Sequence, residues 1–192
     1  MRNNASEYVE KNFAKTDAER FRQRMEEFLS RYELDSAMKS QLFPETMQTL
    51  KKLKELGTKL GLVTNTSAKA VNTVFQNHGL KNCFDAVVTR ENVKKLKPDP
   101  EGILLAVKKL GATSCFMVGD LVLDILAAKG AKVKAIIVRR NPEQLDPQDL
   151  LKSLPAELLE QGKRLLEDGE DLQADYVVQS LSEVPAIVQR EK

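Results

Sequence analysis

Short apolar runs alternate with amphipathic stretches through most of this chain. The runs are Leu60-Gly61-Leu62-Val63, Phe84-Asp85-Ala86-Val87-Val88, Cys115-Phe116-Met117-Val118, Ala135-Ile136-Ile137-Val138 and Tyr176-Val177-Val178. Most are continuous rather than alternating, which is how strands read when both faces of a parallel sheet are covered. Between them, Val71, Val74 and Phe75 recur at helical steps before Gly79. Ile103, Leu104, Val107 and Leu110 do the same before Gly111. The pattern predicts an α/β chain, a doubly wound, Rossmann-like parallel sheet with right-handed crossovers.

The two ends of the chain read differently. From Asn4 to about Tyr32 the sequence is charged and helical, with Thr16-Asp17-Ala18-Glu19 placed as a capping box. Phe21, Met25, Phe28, Leu29 and Tyr32 form one apolar face, expected to pack. Residues 33 to 43 read as a connector. Pro44 suits a first helical position ahead of Met47, Leu50, Leu53 and Leu56, and Gly57 ends that helix. A polar, proline-interrupted segment at 141–174 separates the last two strands and is too long for a simple connection.

Composition narrows the class further. The 192 residues are 42% hydrophobic and 30% charged, enough for one domain with a real core and unlike a disordered chain. Thirty basic residues against 28 acidic ones give no electrostatic reason to expect nucleic acid or an anionic membrane as partner. Cys83 and Cys115 match no metal or redox spacing, no apolar stretch approaches a membrane span, and no signal-type segment follows Met1. A reduced, cytoplasmic setting is the expectation. The one histidine, His78, stands at a helix end, where a structural role is expected.

In doubly wound folds ligands bind at the carboxyl ends of the strands, so the residues just past each run are read for chemistry. The first run ends in Thr64-Asn65-Thr66-Ser67. Lys95-Leu96-Lys97-Pro98-Asp99-Pro100 leads toward the third, which ends in Gly119-Asp120 with Asp124 one turn later. Each has a plain reading alone: a helix cap, a solvated loop lysine, a carboxylate on a helix dipole. Together they are a set suited to a phosphoryl group. Thr64 and the amides of a helix starting at Asn65 would hold its oxygens, Lys97 would neutralise them, and Asp120 with Asp124 would serve a magnesium ion.

From about Phe43 to Val188 the chain resembles the haloacid dehalogenase superfamily, in its phosphoglycolate phosphatase-like branch. The matching pieces are Leu62-Val63-Thr64-Asn65, Lys97-Pro98-Asp99-Pro100, and Val118-Gly119-Asp120 with Asp124. Their separations also fit, at 97 − 64 = 33 and 120 − 97 = 23 residues. The resemblance implies phosphate binding by Thr64 with Asn65 beside it. It implies a catalytic, charge-neutralising Lys97, a magnesium ion held by Asp120 and organised by Asp124, and a small phosphorylated metabolite as substrate. Residues 1–42 look like part of the family's helical cap, and 43–192 like its α/β core.

Family phosphatases open with an apolar strand ending in Asp-x-Asp, whose first Asp attacks phosphorus and whose second acts as general acid and base. No Asp-x-Asp pair occurs in these 192 residues. The family's first strand lies between those ending at Thr64 and Asp120, so the implied sheet lacks its central strand here. Its neighbours are expected to close together or to have the slot filled otherwise, in a chain of marginal stability. Three readings follow. One is a phosphatase encoded with roughly 40 to 60 further residues upstream; another is a non-catalytic phosphate- or partner-binding module; the third is a two-chain enzyme completed by a strand-donating partner or by self-association. The first is favoured. Chain order argues against a phosphorelay receiver domain, whose acidic groups precede its Thr and Lys, and the lack of Gly-x-Gly-x-x-Gly argues more strongly against a dinucleotide site.

Overall fold

The computed structural model describes residues 15–141 and 173–192. Helix α1 (Lys15–Lys39) and helix α2 (Thr46–Glu55) lead into strand β1 (Gly61–Val63), helix α3 (Ala68–His78) and strand β2 (Ala86–Val88). Helix α4 (Glu101–Leu110), strand β3 (Phe116–Gly119), helix α5 (Val122–Gly130) and strand β4 (Lys134–Val138) follow. Strand β5 (Tyr176–Val178) and helix α6 (Val184–Arg190) end the chain. Every apolar run singled out in the sequence contains a strand. Gly79 and Gly111, at φ of 68° and 60°, end α3 and α4 in the left-handed conformation that a side chain disfavours. Most of the segment at 141–174 and the start of the cap region lie outside the described residues. No helix among those described is long and apolar enough to cross a membrane.

All strand pairs are parallel. β1 pairs with β2, and β3, β4 and β5 form a second sheet with β4 in the middle. Because alternate side chains leave opposite faces, Ile136 and Val138 of β4 pack with Leu53 of α2 and Val184 and Val188 of α6. Ala135 and Ile137 pack with Ile103 of α4 and Ile125 of α5. A third cluster, Val71, Phe75 and Leu80, backs β1 through Leu62. This is the layered architecture that the apolar runs predict.

β1 and β3 do not pair with each other. Both line a cavity of about 620 Å³, walled by Ile103, Ala106 and Val107 of α4 on one side and by Leu53, Val184 and Val188 on the other. Among the described residues the two strands have therefore neither closed together nor received another strand.

Several local expectations change. α1 continues to Lys39, through the residues read as a connector, because its last turns find tertiary partners: Ala37 is buried, and Glu33 binds Arg90 and the start of α3. Thr16 lies inside α1 rather than at its cap, and Pro44 precedes the N-cap of α2, Glu45. Phe21, Met25, Phe28 and Tyr32 are exposed rather than packed. His78 keeps the structural role read for it: Nε2 lies 3.0 Å from the carbonyl of Ser40, tying α3 to the segment after α1. Both cysteines are free thiols. Burial pushes the Cys115 pKa up, away from the thiolate form.

Candidate functional site

The site assembles at the carboxyl ends of β1 and β3. Thr64 follows β1, its amide donating to the carbonyl of Val88 at 3.0 Å, and its hydroxyl accepts from the Thr66 amide at 3.1 Å. The side chain of Asn65 turns across to the Lys97 backbone, donating from Nδ2 to its carbonyl and accepting at Oδ1 from its amide, both at 3.0 Å. This double bond pair fixes the loop that carries Lys97, which is joined to Pro98 by a cis peptide. Asn65 is therefore engaged in positioning Lys97, a partner 32 residues away that local pattern does not reveal.

Lys97 bridges the two halves of the sheet. Its Nζ donates to the carbonyl of Val63 at 3.1 Å and to Oδ1 of Asp124 at 2.7 Å, with the side chains only 13% and 7% exposed. An ion pair this buried offsets its desolvation only through good geometry and further hydrogen bonds. Asp124 supplies one, since Oδ2 accepts from the Leu121 amide at 3.2 Å at the start of α5. Gly119 makes room for this carboxylate: a Cβ there would stand 2.3 Å from Asp124 Oδ2. Asp120 follows Gly119 and is exposed. The folding thus brings Asn65 onto the Lys97 backbone and Asp124 onto the Lys97 ammonium, sets Thr64 just past β1, and leaves Asp120 exposed after β3.

The start of α3 differs from its sequence reading. Ser67, not Asn65, is the N-cap, with its hydroxyl accepting from the Ala70 amide at 3.4 Å. Two carboxylates already occupy the amides there: Ser67 N donates to Glu33 at 3.2 Å and Ala68 N to Glu91 at 3.0 Å. Burial works against the charge on Glu91, but the Thr89 hydroxyl and nearby amides outweigh it and hold its pKa below the ordinary glutamate value. Arg90 completes the cluster, binding Glu33 and, at 3.2 Å, the hydroxyl of Ser30. The positive end of the α3 dipole thus faces carboxylates from α1 and from the loop after β2. Glu33, Arg90 and Glu91 were not singled out in the sequence. Only the last two carry a signal, through their place just past a strand.

Among the described residues no three His, Cys, Asp or Glu side chains gather as a metal site. Both oxygens of Asp124 are engaged, one by an ammonium, leaving Asp120 as the free carboxylate. Magnesium asks for near-octahedral oxygen ligation. These residues do not make that site by themselves.

A second cavity, of about 480 Å³, lies between α1 and α3 and reaches Thr64 and Thr66. Its walls are mainly apolar, including Leu62, Val71 and Phe75, with Glu33 and Ser40 at its edge.

Comparison with known proteins places this geometry in a family. The model for haloacid dehalogenase-like hydrolases matches residues 1–138, and a second model of that kind matches 96–184. Pyrophosphatase PpaX of Bacillus velezensis is 42% identical over 89 residues, 45% of this chain and 41% of that protein. Phosphoglycolate phosphatase of Vibrio cholerae is 39% identical over 102 residues, 52% of this chain and 45% of that one. The chain therefore spans less than half the length of either relative. A HAD phosphatase structure from Thermococcus onnurineus superposes with a TM-score of 0.60 at 29% identity, covering 85% of this chain and 64% of that one. A hydrolase from Pseudomonas syringae, at TM-score 0.62 and 22% identity over 95% of this chain and 74% of its own, shares the fold. With a family match running over residues 1–138 and relatives of this kind, the chain belongs to the haloacid dehalogenase superfamily, in its phosphoglycolate phosphatase-like branch.

Proposed function

We propose that these residues are the core of a phosphatase acting on a small phosphorylated metabolite of the phosphoglycolate type. The observation that carries the reading is the Lys97 ammonium, buried between Val63 and Asp124 at the carboxyl ends of two parallel strands. A lysine held there neutralises phosphoryl oxygens in a water-poor setting, where its charge counts for more than in water. Thr64 would add a hydroxyl beside it. Asn65 acts on the reaction through Lys97, by fixing its backbone, in addition to any direct contact with phosphate.

What this chain does not contain is a nucleophile in the family's Asp-x-Asp form, and covalent phosphoryl transfer is divided at that group. The 192-residue polypeptide alone is therefore proposed to have negligible turnover. The favoured origin is a longer phosphatase with a segment ahead of Met1. A magnesium ion, in this reading, needs a further carboxylate beyond Asp120 and Asp124. Cytoplasmic residence is part of the same proposal.

Hydrolysis of p-nitrophenyl phosphate by the purified chain, with and without magnesium, tests the reading. No rate above background is expected. A magnesium-dependent rate that Asp120→Ala abolishes would overturn the claim that this polypeptide lacks its nucleophile. A longer gene product, carrying an apolar run that ends in Asp-x-Asp and losing its activity on Lys97→Met, would support it.

A further inference from the structure

We infer that the end of the molecule opposite Thr64, Lys97 and Asp120 is a docking face for an acidic segment of another polypeptide, held by basic side chains, nearly all lysines, that outnumber the carboxylates among them by eight.

The balanced total charge hides how the charge is distributed. Because every strand pair is parallel and a helix carries the chain back after each strand, helix ends and the residues leading into the strands collect at one end. They fall in the segments 51–60, 80–86, 108–115, 129–134, 174–175 and 190–192. These hold twelve basic residues and four acidic ones, whereas the rest of the chain holds 18 basic and 24 acidic. Side-chain contacts join the segments into one surface. Lys54 reaches Asp85 at 2.9 Å, Lys59 the carbonyl of Leu110 at 2.7 Å and Lys129 the carboxylate of Asp175 at 3.0 Å. Lys134 binds Glu191, and Lys192 the carbonyl of Leu56.

Magnitude separates this surplus from ordinary helix capping. Lysines at helix ends have a plain structural role, because each helix C-terminus carries about half a negative charge. Helices α2 to α6 all end here and together supply roughly −2.5 charges, which leaves most of the surplus of eight uncompensated. The surface is also reachable, since all twelve basic residues except Lys129 are exposed. Its own carboxylates show how an acidic partner seats: Asp85, Asp175 and Glu191 each pair with one lysine, Lys54, Lys129 and Lys134.

The same surface argues against other polyanions. None of the large apolar side chains exposed among the described residues lies in these segments, so the face offers no anchor for a bilayer and no exposed ring for unpaired bases. A nucleic-acid duplex carries a charge about every 1.7 Å along a stiff axis and would pass over Glu55, Asp85 and Glu191 as well as over the lysines. A flexible acidic peptide sets its carboxylates on the lysines and bends past those three. Lysine, a point charge on a flexible stem, suits such a partner better than a rigid arginine fork would. Docking here leaves the candidate site open at the other end, and the inference does not rest on the phosphatase reading.

The test uses the full 192-residue chain and a fluorescein-labelled peptide of about ten glutamates, read by fluorescence anisotropy. An uncharged Gly-Ser peptide of the same length, a DNA duplex of about 20 base pairs and vesicles containing phosphatidylserine are the other arms. The glutamate peptide should bind saturably and the Gly-Ser peptide should not. Raising salt from about 50 to about 200 mM should weaken binding at least about tenfold. Lys52→Gln/Lys81→Gln/Lys108→Gln should weaken it about tenfold, and Lys69→Gln/Lys94→Gln/Lys95→Gln, which removes the same charge elsewhere, by less than about twofold. Circular dichroism checks that both variants fold. If the first triple variant does not, Lys52→Gln and Lys108→Gln alone should each weaken binding about twofold. No binding of the glutamate peptide, equal weakening by the two triple variants, single variants without effect, or tighter binding of the duplex or the vesicles would overturn the inference.

Discussion

β4 and β1 are built from similar residues and end in different surroundings. Ala135, Ile136, Ile137 and Val138 of β4 are all buried, because the strand has neighbours on both edges and helices over both faces. Leu62 and Val63 of β1 are only partly buried and Gly61 is exposed, although α3 and α4 cover that strand as well. Among the described residues, the difference is one strand neighbour. Burial of an apolar strand in a doubly wound sheet depends on lateral partners as much as on the layers above and below, and the site residues sit beside the strand with fewer of them.

Lys97 and Asp124 tie the two sides together, so breaking this pair should give the largest effect. Lys97→Met leaves the Asp124 carboxylate buried without its ammonium and should cost about 3–5 kcal/mol in urea denaturation. The double variant Lys97→Met/Asp124→Leu should recover much of that loss. A double variant as unstable as the single one would show that the pair itself, rather than an uncompensated charge, supplies the stability.

The comparison is sharpened by truncating each strand. Ile136→Ala in β4 should cost about 2–5 kcal/mol, the range for a fully packed core position. Leu62→Ala in β1 should cost roughly half as much, because its site is already partly open. Equal losses by thermal or urea unfolding would remove the distinction between the strands. Gly119→Ala should cost about 1–3 kcal/mol by the same measurement, since the new methyl displaces the Asp124 carboxylate.

The smallest effect comes from carboxylates at the amino ends of both sheets. On Asp85 the Leu60 amide and then Lys54 hold the pKa below the ordinary aspartate value. Burial opposes the charge on Asp175, but the Ala135 amide and Lys129 outweigh it and lower its pKa also. A depressed folded pKa means stability that is present above the unfolded value, near 3.8, and lost as pH falls through the folded value. Urea midpoints should fall below about pH 4, less steeply for Asp175→Asn. An unchanged slope would show that the groups around Asp175 do not bias its titration.

Much of this was legible in the sequence. Five apolar runs marked five strands, and Gly79 and Gly111 marked two helix ends, because burial and backbone conformation are set locally. The strand-end rule drew attention to Thr64 and Asp124, and the structure sets Lys97, from the loop before α4, against Asp124. What escaped were partners distant in the chain: Glu33 binding Arg90, 57 residues on, extends α1 through the expected connector. The Asn65 amide is taken by the Lys97 backbone, and the amides of α3 are taken by Glu33 and Glu91 before any phosphate arrives. Hydroxyl and amide residues after a strand look alike in sequence whether they bind a ligand or a neighbouring loop. Only their tertiary partners separate the two.

The difference between the two strands is tested most directly by native-state hydrogen exchange of the chain alone, comparing the amides of Gly61 and Val63 with those of Ile136 and Ile137. The account expects these β1 amides to exchange at least about tenfold faster than those of β4, which lies between two strands. Equal protection at the four positions would contradict the reading that, among the described residues, β1 has a strand neighbour on one edge and β4 on both.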